Sequence, residues 1–108
     1  MTNWDEAEAT REKVAGYLLA EDHPSGRAKA AFFRSLGYDV SGWEVLRDAL
    51  VAVALAGQPG AESESEWGTK HVIDGEIVSP GGRVANVRTV WIVDPGGSAP
   101  RLVTAYPL

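Results

Sequence analysis

Apolar positions recur with a helical period in the first half of the chain and a strand period in the second. In residues 41–57, Trp43, Leu46, Leu50 and Val53 fall three or four apart, the spacing that lines one face of an α-helix. Ser41 and Glu44 have capping-box spacing ahead of it, and Gly57 with Pro59 beyond marks its end. Asn3 and Glu6 repeat that spacing and predict a helix over 4–18, weakened by Gly16 and with its apolar stripe interrupted by Arg11. Residues 21–26 are turn chemistry, from which Ser25 is placed to cap a short helix running to about Leu36, with Gly37 terminating it.

From residue 69 the period becomes two. Segments 69–78, 83–94 and 101–106 are rich in Val, Ile, Thr and aromatic residues, and turns over 79–82 and 95–98, each containing Pro-Gly-Gly, separate them. Two such turns between three strands predict an antiparallel meander. The expected fold class is therefore α+β, with N-terminal helices packed on a C-terminal antiparallel β-meander of three or more strands. Residues 1–57 form the helical part, 58–67 a small-residue acidic linker and 68–108 the sheet.

The meander also has a polar row. Alternation sets Val84, Asn86, Arg88, Val90 and Ile92 on one face of the middle strand. Hairpins symmetric about their turns place Arg88 opposite Tyr106, Val90 opposite Thr104 and Asp74 beside Arg88. Asp74, Arg88, Thr104 and Tyr106 then cross one face together. His71, with the parity of Thr69 and Ile73, falls on the other face and reads as structural.

Composition narrows the classes. A chain of 108 residues with a 44% hydrophobic fraction suits one domain, 1–108. Without cysteine there is no disulfide, thiolate zinc site or cysteine nucleophile. The first residues are acidic and the longest apolar run is too short to span a bilayer, so a cytoplasmic protein with no membrane partner is expected. The net charge of -5 disfavours a nucleic-acid partner, yet the acids are concentrated. Residues 1–22 carry six acids against two bases, and 60–67 add Glu62, Glu64 and Glu66, while the stretches 23–59 and 68–108 each hold four bases against three acids. A locally basic cleft is compatible with that distribution.

Two further residues stand out in the helical half. Lys29 shares a stripe with Phe32, Phe33 and Leu36, so a lysine sits on an apolar helix face. Either its long stem snorkels at the helix edge or its cation is aimed into a cleft between helix and sheet. His23, before Pro24, approaches the N-terminus of that helix, where an imidazole can meet a phosphate held by the helix dipole. Two distant histidines give no zinc signature, and there is no nucleotide-binding glycine loop or nucleophile elbow, so no metal or cofactor is expected.

The stretches HPSGRAKAAFFRSLGY, GTKHVIDGEIVSPGGRVANVRTVWIV and PRLVTAYPL, in that order, resemble a family of small bacterial proteins classed as a domain of unknown function. The resemblance covers roughly residues 11–108. The terminal VTAYP is also similar to the last strand of toxin ribonucleases of the barnase, EndoU and RelE type fold. That resemblance implies N-terminal helices on a C-terminal antiparallel sheet and a scissile phosphate surrounded by His, Lys or Arg, and Thr or Tyr. It nominates His23, Lys29, Arg88, Thr104 and Tyr106, of which Thr104 and Tyr106 lie in the motif itself. The acidic balance departs from the basic character usual in such nucleases. Two readings follow: a metal-independent endoribonuclease acting on RNA, and a non-enzymatic antitoxin or immunity-like module that binds a cognate toxin protein through its acidic arm.

Overall fold

A computed structural model describes residues 2–20 and 27–108. A 3₁₀ turn, Trp4–Glu6, leads to α1, Arg11–Lys13, which continues as a π-helical turn, Val14–Leu18. Helix α2 is Arg27–Ser35 and helix α3 is Trp43–Ala56. Four strands follow: β1 Gln58–Ser65, β2 Gly68–Val78, β3 Val84–Val93 and β4 Arg101–Pro107. They form one antiparallel sheet in sequence order.

The α+β architecture is as expected, with two local corrections. Residues 58–65 are not a linker but the edge strand β1, paired to β2 with an irregularity between Pro59 and Glu62. All eight of its residues are exposed, so it needs no apolar face and carries no alternating signal. The predicted helix over 4–18 is also broken. Glu8 leaves the helical path to bridge Arg101 of β4 in parallel, its N–H donating to Pro100 and its carbonyl accepting from Leu102 N–H. The chain re-enters a helix only at Thr10, whose hydroxyl caps the Lys13 N–H. At the start of the arm the expected cap pair forms side chain to side chain, Asn3 Nδ2 donating to Glu6 Oε1 at 2.9 Å.

Helix α2 ends as the sequence suggests. Gly37, at φ 102°, donates to Arg34 and Tyr38 donates to Phe33, a Schellman closure whose apolar clasp is the edge-on Phe33–Tyr38 ring pair. Its start, including the Ser25 cap, lies outside the described residues. Helix α3 buries Leu46, Leu50, Val53 and Ala54, but Ser41 does not cap it. The Ser41 hydroxyl donates to Asp39, whose carboxylate accepts the Gly42 N–H and so caps the preceding 3₁₀ turn.

Helix α3 packs on β2 closely enough that a Cβ on Gly75 would come within 3.1 Å of Val53 Cγ1. The core between them contains Phe33, Ile73, Ile77, Val87, Trp91, Leu102 and Ala105. Thr89, fully buried, donates to the Ile73 carbonyl at 2.7 Å and accepts from Trp91 Nε1 at 2.8 Å. The residues that alternate with these on β2, β3 and β4 face away from α3.

Candidate functional site

The strand register brings together what the turn symmetry predicts. Asp74 pairs with Arg88, Arg88 with Tyr106, and Val90 with Thr104. Beyond Val90 the register slips, so Trp91 faces Leu102 and Val103 is the extra residue. The Arg88–Tyr106 and Val90–Thr104 pairs lie outside the slip and keep their register.

Asp74 and Arg88 form a fork-on-fork pair, Nε to Oδ1 at 2.8 Å and Nη2 to Oδ2 at 2.9 Å. The hydrogen bonds from Arg88 hold the Asp74 carboxyl below its usual range. The same bonds, with Tyr106 as a second hydrogen-bonding partner, make the guanidinium still harder to deprotonate. Two of its five N–H groups are thus fixed by Asp74 and the plane of the group is set.

Helix α3 covers the opposite face, but α2 runs along the far side of β4, and Lys29 meets the row at its β4 end. Ala28, Lys29, Tyr106 and Pro107 line an open cleft of about 440 Å³. The Lys29 ammonium approaches the Tyr17 phenol, its Nζ 5.8 Å from the ring centroid, and the Tyr17 oxygen lies 3.4 Å from Thr104 Oγ1. Lys29 therefore sits over the edge of the sheet rather than in the core. Four of the five nominated residues, Lys29, Arg88, Thr104 and Tyr106, fall in one neighbourhood; His23 lies outside the described residues.

Tyr17 and Lys13 escaped the reading of the sequence. They are four residues apart on the first helix, the spacing that stacks side chains on one face, and Lys13 Nζ lies 5.2 Å from the Tyr17 ring centroid. The Thr104 hydrogen bond lowers the Tyr17 pKa; partial burial opposes it, and the Lys29 bond and the charges of Lys29 and Lys13 add to it.

His71 stands apart, as its parity requires. It pairs with Trp91 on the core face, edge-on to Trp4 at 5.3 Å, with Nδ1 3.7 Å from a Glu62 carboxylate oxygen. A larger cleft of about 660 Å³ runs between the N-terminal arm and α3, but its Arg47 is held by Asp48 at 2.9 Å and stacked on Trp43. Among the described residues no three His, Asp or Glu side chains converge as a metal cluster, and no helix is long and apolar enough to cross a membrane.

A family model described as "Domain of unknown function (DUF6883)" matches residues 1–108. The chain belongs to the DUF6883 family. No curated protein matches it. Among solved structures, the DUF6883 fold is similar to a chain of a contact-dependent growth inhibition toxin–immunity protein complex from Klebsiella pneumoniae 342. The TM-score is 0.68 at 18% identity over 94% of this chain and 92% of that one, a likeness of fold. The site residues of this DUF6883 chain rest on its own geometry.

Proposed function

We propose that this protein is a metal-independent endoribonuclease of a bacterial toxin system, acting on RNA in the cytoplasm. The observation that carries the reading is the meeting of Lys29 with Tyr106 and, through Tyr17, with Thr104, beside the fixed guanidinium of Arg88. The fold shared with a chain of a toxin–immunity complex supports the toxin-system setting.

In this mechanism His23 takes the proton of a 2′-hydroxyl, and the freed 2′-oxygen attacks the adjacent phosphorus. The bond to the 5′-oxygen breaks, leaving a cyclic phosphate, and Tyr106 or Thr104 gives the departing oxygen its proton. Lys29 and the remaining N–H groups of Arg88 offset the charge that builds on the phosphoryl oxygens. Removing one such donor typically costs about 10²–10³ in rate.

The test is incubation of total cellular RNA with purified protein in excess chelator, beside Arg88→Ala and Tyr106→Phe. Cleavage by the wild type that falls by about 10²-fold or more in Arg88→Ala is expected. RNA left intact at high protein concentration removes the proposal.

An immunity-like binding role is the second reading. It is favoured by the fully exposed edge strand β1, which carries Glu62 and Glu64 and runs on to Glu66 in a chain of net charge -5. Under that reading the protein binds a basic cognate toxin and leaves RNA untouched.

A further inference from the structure

We propose that the open edge of β1, from Glu62 to the hairpin turn at Glu66 and Trp67, docks an extended, lysine- or arginine-rich segment of a partner protein, which pairs with β1 as an added strand. The inference rests on the binding reading above for the existence of such a partner and adds how that partner is recognised. It is independent of the nuclease reading, because β4 lies at the other border of the sheet.

Three features of this edge select the same occupant, and the first is its backbone. Strand β1 stands at one end of the strand order and pairs with β2 alone, so alternate N–H and C=O groups point outward. Pro59 and the irregularity that follows it blunt the start of the strand, but from Glu62 to Ser65 the residues pair in turn with His71, Lys70, Thr69 and Gly68. The end of this run is pinned: Ser65 Oγ accepts the Trp67 N–H at 3.1 Å and donates to the Gly68 carbonyl at 3.3 Å. The edge is thus held extended before anything binds, which lowers the ordering cost of adding a strand.

The second feature is charge. Glu62 and Glu64 are two apart and so share one face of the strand, and Glu66 follows in the turn. Among the described residues no lysine or arginine lies within 4.0 Å of any of these three carboxylates; Glu62 has His71 Nδ1 at 3.7 Å. Lys70 on the neighbouring strand pairs with Ser63, which has the opposite parity. The third feature is Trp67, 72% exposed at the tip, a ring open to an ammonium or guanidinium. A second copy of β1 sets these glutamates against each other, and the phosphates of a nucleic acid meet the same repulsion. A strand with cations at alternate positions instead meets both the open backbone and the row of acids.

The experiment titrates ¹⁵N-labelled protein with a short capped peptide of alternating lysine and valine. Two controls run beside it: the same peptide N-methylated at every residue, which keeps the charge and loses the backbone donors, and the glutamate counterpart. Saturable shifts centred on residues 62–67 are expected with the lysine peptide alone, together with slowed hydrogen exchange at alternate β1 amides. Glu64→Lys weakens binding about tenfold and Trp67→Ala about threefold. Glu12→Lys on α1, an equal change of charge elsewhere, leaves binding unchanged. No saturable binding of the lysine peptide, or Glu64→Lys binding it as tightly as wild type, overturns the docking edge. Equal binding of the N-methylated peptide overturns strand addition but spares the binding reading, since charge alone then holds the partner. Equal binding of the glutamate peptide overturns the assignment to a basic segment. Concentration-dependent broadening of the β1 amides without peptide makes a second copy the occupant and overturns the proposal. Docking by a protein that also cleaves RNA supports the edge and removes the immunity-like role alone.

Discussion

At the scale of single residues, Thr89 and Asp74 show opposite ways of placing a polar group in this sheet. Thr89 is sealed in the core and satisfies both the Ile73 carbonyl and the Trp91 indole. Thr89→Val preserves shape but leaves the indole N–H buried without an acceptor. The expected loss is about 1–3 kcal/mol of unfolding free energy, measured by urea denaturation. Asp74 instead sits half-exposed and is stabilised in its charged form by Arg88. Its folded pKa lies below its unfolded one, so the stability it contributes is present above the unfolded pKa and is lost as pH falls through the folded pKa. The melting temperature of Asp74→Asn should therefore lie below wild type at neutral pH, with the gap closing in acid below about pH 4. A gap that stays constant with pH would show that the pair contributes nothing through its charge. The Asp74, Arg88 and Tyr106 alignment was legible because it depends only on strand parity and the two Pro-Gly-Gly turns. Tyr17 was not, because its importance depends on where a π-helical turn docks against β4, and no local pattern encodes that contact.

Among the elements, each strand's legibility followed its burial. The strands β2, β3 and β4 alternate because one face of each meets the core. The edge strand β1 has only Gly, Ala, Ser, Glu, Gln and Pro, and its place in the sheet comes from backbone pairing with β2. The first helix was overread for a related reason: its residues can form a continuous helix, but the open hydrogen bonds of β4 compete for Glu8 and take it. This arrangement predicts a gradient in amide hydrogen exchange. Interior amides of β3, bonded on both sides and packed over Trp91, exchange most slowly, and those of β1 most quickly among the strands. Equal protection of β1 and β3 would contradict the edge assignment.

For the molecule as a whole, charge and shape are distributed so that the acidic balance does not describe the candidate site. The glutamates of β1 and the hairpin after it lie across the sheet from β4, where Lys13 and Lys29 flank Tyr17. A net charge of -5 thus averages over two unlike borders of one sheet. The two borders also differ in what they leave open. The N-terminal arm bridges the start of β4 at Glu8 and Arg101, whereas no described strand pairs with the outer side of β1. A strand adding at the start of β4 finds the Pro100 carbonyl and the Leu102 N–H already taken by Glu8. At the opposite border, pairing of two copies β1 to β1 sets glutamate against glutamate at neutral pH. The arm thus obstructs strand addition at the start of β4, while the other border is guarded by charge and stays available to a partner of opposite charge.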